Sequence, residues 1–269
     1  MTLQQQFTDL LEKARSAPLH IRTLGGFVVV RDGDQIDAKS WGRDKTLQLL
    51  QYLITVRHRN ALHKEQIISR IWEDVDQAGG DRDFKVAMHG INKALEPNRK
   101  SRTDAKYIIR QGSTYQLALS LITIDVEIIE MLVSLGNQAL QEDHDLAIEA
   151  YREALSYHKG LYLPNRVYED WSSEERERIQ ILILGAYISL AELTLDSSPQ
   201  ETIRLCQRAL EIDHSWEDAY RLMIRSFIRR GNRPAAIKTY RQCQMILDEE
   251  YGIDPLPQTQ RLMDELLQL

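Results

Sequence analysis

Residues 81–97, DRDFKVAMHGINKALEP, restrict the possible folds more than any other stretch of the chain. Phe84, Met88, Ile91 and Leu95 recur at the spacing of one helix face, and Pro97 ends the run. Advancing about 100° per residue puts Arg82, Val86, His89, Gly90 and Lys93 on the opposite face, flanked by Lys85 and Asn92. The apolar back needs a core to pack on. A front of basic, amide-bearing and small residues fits the major groove of DNA. Taken alone, the pattern also describes an ordinary amphipathic surface helix, so the neighbouring elements decide.

Residues 20–30 are rich in β-branched side chains and are interrupted by Gly25-Gly26. Asp32-Gly33 is a hairpin signal, and 35–38 can pair back. No GxxxxGK[ST] pattern follows the glycine pair, so it reads as a bulge or a close backbone approach. Residues 44–56 (DKTLQLLQYLITV) form a helix pattern with Asp44 at its start, and 63–72 form a second with Ile67, Ile68, Ile71 and Trp72 apolar. A polar, acidic connection (73–80) leads into the helix of 81–96. A polar loop at 98–105 carries Arg99, Lys100 and Arg102, and strands at 107–110 and 115–119 flank Gln111-Gly112-Ser113-Thr114. Strands, three helices and a hairpin make a winged helix-turn-helix whose third helix reads the major groove. Arg82, Lys85, His89, Asn92 and Lys93 would face the groove. Arg110 on the hairpin and Lys45 at the first helix would touch phosphate and set register. A short helix at 8–15 precedes all this and ends at Pro18.

From residue 125 the pattern is helical. Residues 126–140 and 145–155 read as an antiparallel pair, Gly160 and Pro164 break the run at 157–166, and 171–195 is one long helix. Residues 199–212 and 234–246 then repeat, with Ile203 and Ile237, and Ile212 and Ile246, each 34 apart. That period is the tetratricopeptide signature. A closing helix at 260–267 follows YGIDPLP. The expected fold class is an α+β winged helix-turn-helix followed by an all-α, tetratricopeptide-like helical domain. The divisions are a helical appendage at 1–18, a winged helix at 19–120 and a helical domain at 121–269.

A net charge of −6 hides an asymmetry. Residues 1–120 carry 19 Lys+Arg against 14 Asp+Glu, a net of +5, and residues 121–269 carry a net of −11. Such a split suggests a half facing nucleic acid and a half with another task. No apolar run reaches membrane-span length, and 1–18 has no apolar signal segment. Cys206 and Cys243 sit far apart in helical patterns, which predicts buried thiols rather than a disulfide. The expectation is a cytoplasmic protein with no membrane partner. The seven histidines show neither HExxH nor Cys/His metal spacing, and His58 and His63, flanking an interhelical loop, read as surface or capping residues. No GxSxG elbow occurs, and Glu174, Glu175 and Glu177 with Arg176 and Arg178 read as a solvated helix face. No catalytic residue, cofactor or metal is expected.

The segments VAMHGINKALEP (86–97) and YIIRQGSTYQL (107–117) resemble the response-regulator-type (OmpR/PhoB-type) winged helix. They depart from it at Gly90 and Asn92, where that family commonly carries arginines, and at Ser113-Thr114 before Tyr115. ALEID (209–213), RGNRPAAIKTYRQCQMILDEEYGIDPLPQTQRL (230–262), and Trp171 with Arg176 resemble the bacterial transcriptional activator domain of SARP-type regulators. The two resemblances adjoin in that family's order and together cover about residues 21–267. They imply a DNA-binding transcriptional regulator, in most cases an activator. They also imply that 73–80 approaches RNA polymerase, that copies assemble on direct-repeat sites, and that the helical half offers a surface for assembly or for a peptide or protein partner. The alternative is a protein-interaction scaffold with a degenerate winged helix, and Gly90 and Asn92 are the residues that favour it.

Overall fold

The computed structural model describes residues 1–59, 61–100 and 103–268. Arg102, expected in the basic loop, lies outside the described residues. Two compact units form. One joins Thr8–Ile128 with His158–Ile179, and the other joins Met1–Phe7, Ile129–Tyr157 and Gln180–Leu269. They are called the winged unit and the helical unit below.

After helix α1 (Leu3–Ser16), the winged unit opens with β1 (Leu19–Arg22), β2 (Val28–Arg31) and β3 (Asp34–Gln35). Asp32 and Gly33 both take positive φ, 50° and 92°, the type I′ geometry whose twist matches an antiparallel β2–β3 pair. Then come α2 (Asp44–Thr55), β4 (Leu62–His63), α3 (Lys64–Ile71) and α4 (Gln77–Leu95). The wing is β5 (Ile108–Gln111) and β6 (Thr114–Leu117), and β7 (Ile122–Ile124) follows. The first sheet has the order β3-β2-β1-β7, with β7 parallel to β1, and the second has the order β4-β6-β5. β7 falls in a stretch the sequence pattern leaves unassigned.

Gly25 is a close backbone approach. Its N–H donates to Leu161 O at 2.9 Å, and a Cβ there would sit 2.2 Å from Lys159 O. His63 caps α3: its Nδ1 accepts from Glu65 N–H, and Gln66 Oε1 accepts from His63 N–H. α4 starts four residues before the expected 81, with Asp76 accepting from Gly79 N–H at 2.9 Å. The expected connection at 73–80 therefore shortens to 72–76. Gly79-Gly80 looks like a helix breaker in sequence, but a Cβ on Gly80 would lie 2.6 Å from Ile68 Cγ2, so glycine here permits the approach of α3 to α4. Phe84 anchors α4, stacking edge-on with Trp72 (centroids 6.3 Å apart) and Tyr115 (5.1 Å).

Chain order and packing part company after residue 120. β7 completes the first sheet, and Asp125 accepts from Thr23 N–H, Thr23 Oγ1–H and Leu24 N–H at 2.6–2.9 Å. Residues 158–179 also fold into the winged unit, through two short 3-10 turns, Pro164–Arg166 and Asp170–Ser172. Glu175, expected on a solvated face, is instead buried. Its carboxylate accepts from Arg57 at 2.6 Å and from Arg178 at 2.7 Å, and a buried charge demands such partners.

The remaining helices are α5 (Asp125–Ala139), α6 (His144–Ser156), α7 (Ser173–Thr194), α8 (Pro199–Ile212), α9 (Glu217–Arg229), α10 (Arg233–Tyr251) and α11 (Pro257–Gln268). Within the helical unit α8 packs on α9 and α9 on α10, the stacking of a tetratricopeptide array. Tyr220 packs with Cys243 and Leu247, while Ile224, Ala236 and Tyr240 pack with Leu262 and Leu266 of α11. Cys206 and Cys243 are buried free thiols. Among the described residues no helix is long and apolar enough to cross a membrane.

Candidate nucleic-acid interface

α4 divides its residues sharply. Phe84, Ala87, Met88, Ile91, Ala94 and Leu95 are buried. Arg82, Lys85, His89 and Lys93 are exposed and follow one another at intervals of three or four, a continuous outward stripe. Arg82 Nε donates to Asp83 Oδ1 at 3.2 Å, a contact open to solvent and easily exchanged for another acceptor.

Gly90 does not belong to that stripe. A Cβ on it would lie 3.0 Å from Thr46 Cγ2 and 3.1 Å from Thr46 Oγ1, so it faces α2. The wheel puts it on the polar face with Arg82, His89 and Lys93, but α2 crosses α4 there and takes that position. Asn92 is half-buried, and its Oδ1 is enclosed with no hydrogen-bond partner among the described residues, so its amide oxygen turns inward.

The other two sequence-derived positions lie off α4. Lys45 is exposed at the start of α2, and its Nζ donates to Ile71 O at 2.6 Å, satisfying a carbonyl at the end of α3. Arg110 is exposed on the wing. Its Nε donates to Gly112 O at 2.9 Å, and its guanidinium stands 5.8 Å from the Tyr115 ring centroid. Both contacts hold the side chain near the turn, where Gly112 takes φ 59°.

Three residues with a part here escaped the sequence reading. Arg31 on β2 donates from Nη1 to Ala94 O at 2.7 Å and caps the end of α4. Lys39 shares with Lys93 a cleft of about 560 Å³ that includes Trp41. Lys64 pairs with Asp81 at 2.8 Å, and that hydrogen bond holds the Asp81 carboxyl below its ordinary range. Nothing in local periodicity marks Arg31 or Lys39, because one meets α4 from the sheet and the other lines the cleft from the 3-10 turn Ala38–Trp41.

A small mixed sheet, a helix-turn-helix and a wing, followed by stacked helices, is the architecture of a winged-helix transcriptional regulator. The family model described as the bacterial transcriptional activator domain matches residues 124–267, more than half the chain, and the chain belongs to that family, among regulators of SARP type. No curated protein matches the sequence. Among solved structures, Mycobacterium tuberculosis EmbR in complex with a low-affinity phosphopeptide is 18% identical, with a TM-score of 0.79. That alignment covers 94% of this chain, which spans 66% of the length of the EmbR structure. The MamA protein (17% identity, 53% of this chain and 91% of that one) and the TPR2AB domain of yeast Sti1 in its pHSP90 complex (15%, 85% and 95%) also match. Their TM-scores of 0.23 and 0.27 are too low to define a shared fold.

Proposed function

We propose that this regulator binds double-stranded DNA sequence-specifically and activates transcription, in the cytoplasm, with α4 in the major groove. The observation that carries the reading is the exposed stripe of Arg82, Lys85, His89 and Lys93 on a helix whose other side is core. Lysine and arginine on that stripe donate to guanine O6 and N7, each good contact being worth about 1–3 kcal/mol of discrimination. Asn92 contributes from the flank through its amide nitrogen. Arg110 and Lys45 contact phosphates; Lys45 keeps two N–H donors beyond the one given to Ile71. The acidic connection, where Glu73, Asp74 and Val75 are exposed, meets RNA polymerase. Two or more copies occupy direct repeats, and the helical unit receives a peptide or protein partner.

The scaffold alternative rests on Gly90 and Asn92, both of which turn toward the protein and leave four residues in the stripe. A titration against a pool of genomic fragments at several salt concentrations separates the two readings. Enrichment of one motif, with log K linear in log salt, is expected. Weak binding without a motif, lost at physiological salt, would replace DNA reading with the scaffold.

A further inference from the structure

Residues 158–179 lie inside the stretch matched by the activator-domain family, yet they fold with Thr8–Ile128. They form a strap along α2. At the N-terminal end of α2, Arg166 donates from Nη1 and Nη2 to the two carboxylate oxygens of Asp44, at 2.9 and 2.5 Å. Its Nε reaches two turns further, to Gln51 Oε1 at 2.8 Å. Near the other end, Trp171 stacks edge-on with Tyr52 (5.6 Å), and Tyr162 Oη bonds Thr55 Oγ1 at 2.8 Å. Just past it, Arg57 Nη1 donates to Glu175 Oε1 at 2.6 Å. The strap is fastened to the sheet as well, by Gly25 N–H to Leu161 O and Leu163 N–H to Thr23 O, each 2.9 Å.

The strap is also internally braced. The Arg166 carbonyl accepts from Ser172 Oγ–H and Arg176 Nη2–H, both at 2.9 Å. Leu163 takes φ 41°, a conformation that costs a non-glycine residue energy and persists only where surrounding contacts impose it. Arg166 is 8% exposed, so its charge stands away from water and depends on the Asp44 fork. Two residues beyond Asp44, Thr46 is the neighbour that a Cβ on Gly90 would meet at 3.0 Å, and Gly90 lies between His89 and Lys93 on α4.

We infer that Arg166 is a positioning residue for DNA reading: it seats α2, and α2, through Thr46 against Gly90, sets where α4 stands. The inference rests on the proposal that α4 reads DNA. The DNA-reading unit is then discontinuous in sequence, and the activator-domain stretch governs α4 without touching DNA.

The test uses the full chain with Arg166→Ala, Arg166→Lys and Asp44→Asn. Two quantities are measured. One is the ratio of affinities for the selected duplex and an unrelated duplex at fixed salt. The other is amide exchange in the DNA-free protein. Arg166→Ala is expected to lower the ratio on the order of tenfold, the size of one base contact, because a displaced α4 loses base edges while keeping phosphates. Amides of α2 and α4 exchange faster, and those of α8–α10 do not change. Arg166→Lys, which keeps the charge but not the fork, falls between. An unchanged ratio, or both affinities falling in proportion as folded protein is lost, overturns the inference. If Arg166→Ala does not fold, Asp44→Asn decides by the same two readouts. If the wild-type chain shows no sequence preference, DNA reading fails, and exchange alone still decides the mechanical link: faster α4 exchange upholds it and exchange confined to 158–179 overturns it.

Discussion

Between His89 and Lys93 the α4 backbone comes so near α2 that a methyl on Gly90 would press on Thr46 at 3.0 Å. Alanine at an interior helix position gains about 1 kcal/mol over glycine, but overpacking a core contact costs about 1–3 kcal/mol. Thr46 is 4% exposed and β-branched, so rotating it only exchanges one γ atom for the other. Gly90→Ala is therefore expected to lower the unfolding free energy by about 1 kcal/mol in urea titrations. The same change in a Thr46→Ser background should recover most of that. Equal losses in both backgrounds would show that Thr46 is not the obstacle. The helical wheel could not place Gly90, because a wheel knows the helix and not the neighbour that crosses it. The cysteines show the opposite case. Their apolar periodicity is local, and it foretold burial. Desolvation pushes both thiols up to about 12, so neither should react with an aromatic disulfide reagent at neutral pH until the helical unit unfolds. Labelling under native conditions would contradict the burial of Cys206, or the packing of Cys243 with Tyr220 and Leu247.

The wing is an element whose role can be read from salt dependence. Arg110 is held by Gly112 O and the Tyr115 ring at the turn, where a phosphate contact needs a charge and not a base-specific geometry. Arg110→Ala should weaken binding about equally for all duplexes and reduce the slope of log K against log salt by about 1. A loss confined to one motif would instead make Arg110 a base reader. Among elements, those with strong internal period were legible: α2, α3, the body of α4, the wing strands and the 34-residue helix repeat. The first turn of α4 was not, since Gly79 and Gly80 have the composition of a break, and the reason for Gly80, Ile68, sits on another helix. The strap was not legible either. Arg166 meets Gln51 across 115 residues, and a helical wheel holds no record of such a partner. Glu175 was misread for the same reason, its partner Arg57 lying 118 residues away.

At the scale of the molecule, linear charge overstates the case for DNA. The winged unit as folded includes the strap and carries 23 Lys+Arg against 21 Asp+Glu, a net of +2, where residues 1–120 carry +5. Under the proposed DNA reading, attraction to the duplex depends on where the cations stand, on α4 and the wing, more than on their sum. The helical unit keeps the remaining charge of −8, which disfavours its own surface meeting a duplex. The same charges set the response to acid. Asp44 is held low by its hydrogen bond to Arg166, and Glu175, though burial alone would raise it, is held low by Arg178 and Arg57. A carboxyl with a lowered folded value stabilises the fold above its unfolded value and loses that contribution as pH falls through the folded one. Asp125 has the reverse sign, because burial raises it against its hydrogen bonds from Thr23, Leu24 and Val126. Comparing wild type with Glu175→Gln removes Asp125 and Asp44 from the difference, since both chains share them. The variant should be about 2 kcal/mol less stable at pH 7, where it loses charge-assisted bonds to Arg57 and Arg178. That gap should begin to close as pH falls below 4.5, the ordinary value for glutamate, where the unfolded chain takes up its proton first, and should be gone once pH passes the lowered folded value and the native carboxyl is neutral too. Three of the four tryptophans, Trp41, Trp72 and Trp171, lie in the winged unit and Trp216 in the helical one, so urea midpoints of the winged unit are followed by tryptophan emission in a Trp216→Phe background shared by both chains. Two midpoint curves that stay parallel from pH 7 to acid would mean that Glu175 serves by shape alone, and that the strap is held to α2 without the help of its charge.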